Sequence, residues 1–236
     1  MDKRLLGEFM GTLVLILMGN GVVANVLLRK SKGEGAGWMV IATGWGLAVM
    51  AGIFTALAFG SADGYLNPAV TLGSAVSSGD FSKFGPYFAA ELAGAMVGAT
   101  LVWIHYLPHW RETPDPAAKL ACFATGPAIR RPAANLVSEI VGTFVLVLVA
   151  GAIGKAAPVA GMGQYLVGGL VWAIGLSLGG TTGYAINPAR DLGPRIMHAL
   201  LPVAQKGGSD WGYAGVPVFG PLIGGALAGA LLRALP

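Results

Sequence analysis

The sequence predicts an all-α polytopic membrane protein, with six transmembrane helices and two re-entrant half-helices arranged as an inverted repeat. Three observations carry this prediction. The 236 residues are 55% hydrophobic and only 11% charged, with 38 glycines, about half the charge and twice the glycine of a soluble domain. Six stretches are long and apolar enough to cross about 30 Å of hydrocarbon. The tripeptide Asn-Pro-Ala occurs twice, each time opening an apolar segment too short to cross. Disorder is excluded, because a disordered chain lacks the apolar residues that repay chain entropy.

The spans fall at residues 5–28, 38–60, 84–107, 133–154, 163–182 and 213–235. The first follows Met-Asp-Lys-Arg as a secretory leader would, but it runs past twenty residues with no Ala-x-Ala cleavage site and is read as a mature span. Segments 67–78 and 187–200 follow the second and fifth spans. At 1.5 Å per residue each reaches only about 20 Å.

A shift of 131 residues lays Leu5, Glu8, Gly11 and Thr12 over Leu136, Glu139, Gly142 and Thr143. It also lays Pro86 and Phe88 over Pro217 and Phe219, and Gly94 and Gly98 over Gly225 and Gly229. The chain therefore reads as one domain over 1–236, made of a first repeat (1–107), a connecting loop (108–132) and a second repeat (133–236). Three spans per repeat is an odd number, so the second repeat enters the bilayer from the opposite side. Inverted repeats place their discontinuous helices near the midplane, where a permeation site is expected. The pairs Gly7/Gly11, Ser138/Gly142, Gly94/Gly98 and Gly225/Gly229 have the small-x-x-x-small spacing that lets helix backbones approach closely in lipid.

Each half-length segment opens as a helix start should. Asn67 and Asn187 can cap, Pro68 and Pro188 at the first helical position have a preset φ and need no donor, and Ala69 and Ala189 follow. Two such motifs in an inverted duplication resemble the aquaporin or major intrinsic protein family, and the resemblance covers essentially the whole chain. It implies six tilted spans around a pore, with two re-entrant half-helices meeting end to end at its centre. Two helix N-termini facing one another place their positive dipole ends toward the lumen and oppose cations and protons. Asn67 and Asn187 would offer side-chain amides to passing hydroxyls. The non-helical backbone before each motif, at Gly64, Tyr65 and Leu66 and at Gly183, Tyr184, Ala185 and Ile186, is tolerable at membrane depth only where it lines water, and its carbonyls would form a ladder of acceptors.

Arginine inside a membrane pore is costly, and Arg190 directly follows the second motif. By resemblance Arg190 is the filter arginine, and Trp45, Gly175 and Tyr184 occupy the other three filter positions. Water-selective relatives place histidine where Gly175 stands, so glycine implies a wider hole. Asp191 after Arg190 is similar to the glycerol-facilitator branch. The corner of Trp45 and Tyr184 against Arg190 suits a solute with carbons on one side and hydroxyls on the other. Tyr184 departs from the phenylalanine common in that branch, Tyr65 from histidine and Glu91 from glutamine. Such departures keep protonated lactic acid, or another small hydroxy acid, as the alternative solute to glycerol, with urea and water also passing.

The resemblance further implies that Glu8 and Glu139 accept hydrogen bonds from the re-entrant loops. Glu91 has no counterpart, since Leu222 stands at the matching place, and its role is open. Fifteen basic residues give a net charge of +4 but form no patch, so a nucleic-acid partner is not expected. His105, His109, His198 and Cys122 have no metal-ligand spacing. The Gly19-x-Gly21-x-x-Ala24 pattern lies inside a span and not at a strand-to-helix turn. No cofactor, metal or catalytic constellation is expected, and the chain reads as a channel in the lipid bilayer rather than an enzyme. A proton-coupled secondary transporter and an occluded scaffold protein are the rival classes. The resemblance implies a plasma-membrane homotetramer with one pore per subunit and both termini cytoplasmic. Basic residues weigh the other way: Lys3, Arg4, Lys83, Lys155 and Arg233 would be inside, but Arg29, Lys30, Lys32, Arg111, Lys119, Arg130, Arg131 and Lys206 outside.

Overall fold

The computed structural model describes residues 2–156, 159 and 161–235, which contain helices and no strand. In chain order the helices are α1 (Lys3–Leu27), α2 (Trp38–Ala58), α3 (Pro68–Ser78), α4 (Phe84–His105), α5 (His109–Glu112), α6 (Pro116–Ala121), α7 (Pro132–Ala156), α8 (Met162–Ser177), α9 (Pro188–Leu200) and α10 (Gly215–Ala234). Helices α1, α2, α4, α7 and α10 are long and apolar enough to cross a membrane. The chain is an integral membrane protein.

Local chemistry sets the helix ends. Asp2 Oδ1 accepts the Arg4 amide at 2.9 Å and starts α1. Asn67 caps α3 through the Ala69 amide (2.9 Å), and Asn187 caps α9 through the amides of Ala189 and Arg190 (3.0 and 3.1 Å). Gly79, at φ 81°, closes α3 by donating to the Ala75 carbonyl at 2.8 Å. This left-handed conformation is one a side chain would disfavour. Pro202 directly after the Leu201 cap cannot continue α9.

Two expectations are revised. The fifth span, expected over 163–182, is helical only over Met162–Ser177, 16 residues or about 24 Å. The chain turns beyond it, where the Gly179 carbonyl accepts the Gly183 amide at 2.9 Å and Gly179 lies against the Gly175 carbonyl, the Tyr184 ring and the Trp38 ring with no room for a Cβ. The connecting loop 108–132 contains two short helices, α5 and α6, and Asp115 caps α6 through the Ala117 amide at 2.8 Å.

The two repeats interlock. Within each, the first helix packs on the last, α1 on α4 and α7 on α10. Each half-helix instead packs on the last helix of the opposite repeat, α3 on α10 and α9 on α4. Glycine permits both kinds of contact. Gly94 and Gly98 abut the backbone carbonyls of Phe9 and Leu13 on α1, whereas Gly225 and Gly229 abut those of Ala69 and Gly73 on α3. The α7–α10 contact uses Gly220 and Gly224, against Leu136 and Ile140. Equivalent small-x-x-x-small pairs therefore serve different partners, because a helix with two packed faces needs two such rows.

Candidate functional site

A cavity of about 510 Å³ runs between the helices, past the N-termini of α3 and α9. Its midpoint is built from the two loops that precede those helices. Both loops hold non-glycine residues at positive φ, Leu66 at 55°, Tyr184 at 38° and Ile186 at 43°. Such backbone persists only where its surroundings over-determine it. Here a glutamate does so on each side. Glu8 accepts hydrogen bonds from Ser61 Oγ (2.5 Å) and from the amides of Tyr65 (3.2 Å) and Leu66 (2.8 Å). Glu139 accepts from Thr182 Oγ1 (2.6 Å) and from the amides of Ala185 (2.9 Å) and Ile186 (2.8 Å). Both glutamates are buried, so the carboxyl ends of these bonds are held away from water.

The two motifs are also tied to each other. Asn67 Nδ2 donates to the Ile186 carbonyl, and Asn187 Nδ2 to the Leu66 carbonyl, each at 2.8 Å. An amide nitrogen carries two hydrogens. One of them bridges the loops, and only the second is left for the lumen. Asn67, Asn187, Gly64, Tyr65, Leu66, Ala185 and Ile186 all border the cavity, whereas Gly183 does not. Pro68, Ala69, Pro188 and Ala189 are buried behind the capping turns.

Three of the four filter candidates converge on the α9 side. The Arg190 guanidinium carbon lies 4.0 Å from the centroid of the Trp45 ring, within cation–π range. Arg190 Nη1 and Tyr184 Oη are buried without a protein hydrogen-bond partner among the described residues, and both residues line the cavity with Trp45. Gly175 does not line it. A Cβ there would stand 2.8 Å from Tyr184 Cζ and Oη, so the tyrosine ring takes up the space that the glycine leaves open.

Asp191 does not pair with Arg190. Its carboxyl group accepts from Arg195 Nε (2.8 Å) and Nη2 (3.1 Å) and from Thr125 N (2.7 Å) and Oγ1 (2.6 Å). Arg195 also donates to the carbonyls of Thr125, Ser209 and Asp210 at 2.9–3.0 Å. Sequence reasoning missed this anchor of α9. The Asp191/Arg195 spacing of four residues was its one visible sign. Trp38 was missed as well: its indole donates to the Gly175 carbonyl at 2.9 Å and meets the Tyr184 ring edge-on at 5.8 Å. Glu91 is fully buried with Oε1 3.0 Å from Thr71 Oγ1, which is itself 3.1 Å from the Asn67 carbonyl. It supports the first turn of α3.

Comparison with known proteins agrees with this geometry. The profile of the major intrinsic protein family matches residues 1–232. The chain belongs to that family. A family relative, glycerol uptake facilitator protein 3 of Lactiplantibacillus plantarum, is 56% identical over 235 residues, covering 99% of this chain and 97% of the relative. A more distant one, the D/L-lactic acid transporter of the same organism, is 39% identical over 233 residues, covering 97% and 95%. Among solved structures of the family, the aquaglyceroporin of Plasmodium falciparum superposes with a TM-score of 0.86 at 28% identity, covering 99% of this chain and 96% of that one.

Proposed function

We propose that this chain is a passive channel through which glycerol and other small neutral solutes, with water, diffuse down their gradients across the plasma membrane. The observation that carries this reading is the pairing of a guanidinium with an aromatic wall along one cavity. Arg190, Trp45 and Tyr184 all line it, with the guanidinium carbon 4.0 Å from the Trp45 ring centroid, and a polyol offers hydroxyls to the guanidinium and carbons to the rings. The filter is Trp45, Tyr184 and Arg190, with Gly175 as the seat of Tyr184. Asn67 and Asn187 hold the midpoint, Glu8 and Glu139 brace the loops, and the carbonyls of 64–66 and 185–186 accept from the moving solute. The positive dipole ends of α3 and α9, with Arg190, raise the barrier to cations. Family membership makes transport the expected activity, not catalysis.

Protonated lactic acid is the second reading. The extra hydroxyl of Tyr184 favours it, as does the lactic acid transporter named among the relatives. The anion would be excluded by the cost of dehydrating it. Swelling of proteoliposomes with glycerol, urea and lactic acid at low pH tests both readings. Glycerol flux that is linear in its gradient and indifferent to a proton gradient supports the channel, whereas uphill accumulation driven by protons rejects it. We further propose both termini on the cytoplasmic side, a single channel domain of two repeats and a homotetramer with one pore per subunit. Accessibility of a tag after Pro236 in intact cells tests the first, and light scattering of the detergent-solubilised protein tests the last.

A further inference from the structure

The two halves of the pore differ beyond the motifs. Along the cavity wall α3 continues from Asn67 and Val70 to Ser74, Ser77 and Ser78. At the offset of 120 residues that relates the motifs, α9 carries Pro194, Met197 and His198, and none of these borders the cavity. Tyr65 reaches back along α3 to place Oη 2.7 Å from Ser74 Oγ. Its counterpart, Ala185, has no hydroxyl. A second cavity of about 200 Å³ lies behind this pair, bounded by Tyr65, Thr71, Ser74, Ser78, Asp80 and Lys83. Tyr65, Ser74 and Ser78 border both spaces.

We infer that this hydroxyl cluster is a second solute site, an inner station for small polyols on the α3 side of the pore. The Tyr65–Ser74 pair holds two hydrogens, of which its mutual bond uses one. The pair can therefore both donate to and accept from a solute hydroxyl. Ser78 Oγ donates to the Ser74 carbonyl at 2.9 Å and accepts the Asp80 amide at 3.2 Å, which leaves it one lone pair for a solute. The hydroxyl of Ser77 makes no hydrogen bond among the described residues. Elsewhere this part of the cavity is lined by Val49, Ile53, Ala150, Ile153 and Leu232, an aliphatic surface for the carbon chain. Ser74 lies seven residues along α3 from Asn67 and Arg190 three residues along α9 from Asn187, so the two stations lie on opposite sides of the midpoint. A polyol leaving the filter is thus held again before release, while water, which gains as much from any hydroxyl, is not selected.

The inference rests on the reading of the pore as a polyol path, and one experiment separates the two. Glycerol and water fluxes are measured by stopped-flow swelling of proteoliposomes for the wild type, for Tyr65→Phe/Ser74→Ala and for Ser77→Ala. If the wild type passes no glycerol, the channel reading fails and the inner station with it. If the wild type conducts, the inner station requires glycerol flux to fall roughly threefold to tenfold in the double variant, the size of a lost hydrogen bond, with water flux kept. A smaller selective fall is expected for Ser77→Ala. Unchanged glycerol flux in both variants overturns the station alone. Loss of glycerol and water together in the double variant shows a collapsed pore. The single variant then decides, and an unchanged glycerol flux there overturns the proposal.

Discussion

The half-helices α3 and α9 begin alike and end differently. Each has an asparagine cap, a proline in its first turn and a preceding loop bound by a glutamate from the first helix of its own repeat. Beyond the third residue they part. Val70 stands where α9 has Arg190, and α9 goes on to bury Asp191 and Arg195 completely in a network reaching Thr125 and Ser209. The buried supports of α3 are its own Thr71 and Glu91 of α4, and its exposed end carries hydroxyls. The duplicated part holds the junction in place. The divergent part differs in what it buries: α9 sets the Arg190 guanidinium over the Trp45 ring with Asp191 and Arg195 anchored behind it, whereas α3 carries no basic residue.

The largest effects should come from breaking what the halves share. Glu139→Ala leaves one hydroxyl and two amides unsatisfied, at about 1–3 kcal/mol each. We expect loss of conduction and a sharply lower Tm in detergent, with Glu8→Ala matching it. A mild phenotype in only one of the two would show that the halves are not equally braced. Next, Arg190→Val makes α9 resemble α3, and cation leak through liposomes should rise roughly tenfold or more as the fixed charge is removed. An unchanged leak would place the barrier at the helix dipoles alone.

Gly175→His must displace the Tyr184 ring and should suppress glycerol flux more than water flux, whereas equal loss of both would count against the filter. A smaller change is expected from Tyr184→Phe, which removes one unpartnered hydroxyl. Lactic acid flux should drop by about threefold with glycerol less affected, and the reverse order would argue against the second solute. Smallest of all, Glu91→Leu copies Leu222 of the other half. Thr71 keeps its bond to the Asn67 carbonyl, so the Tm should fall by only a few degrees, about 1 kcal/mol, and Glu91→Gln should fall less.

Much of this asymmetry lay hidden at the level of sequence. The half-helices were legible over 67–78 and 187–200, because an asparagine cap followed by proline acts within three residues. They form as Pro68–Ser78 and Pro188–Leu200. The end of α8 was not legible, since the turn at Gly179 packs against Trp38, distant along the chain, and Tyr184, beyond the turn. The same holds for Arg195, whose partners Thr125 and Ser209 lie 70 and 14 residues away. Gly225 and Gly229 announced a close contact, but not that the contact would be with the opposite repeat.

The sequence by itself determined that this chain crosses a membrane, that it does so as two inverted copies, and where each half-helix starts. Those properties follow from hydropathy, an odd number of spans and local capping. Only the tertiary structure decided that each asparagine uses one hydrogen to bridge to the opposite loop, that Tyr184 fills the space beside Gly175, and that the serines of α3 border the cavity. Each of these depends on which surfaces meet when α3 packs on α10 and α9 on α4, and that register is set by the summed packing of both repeats.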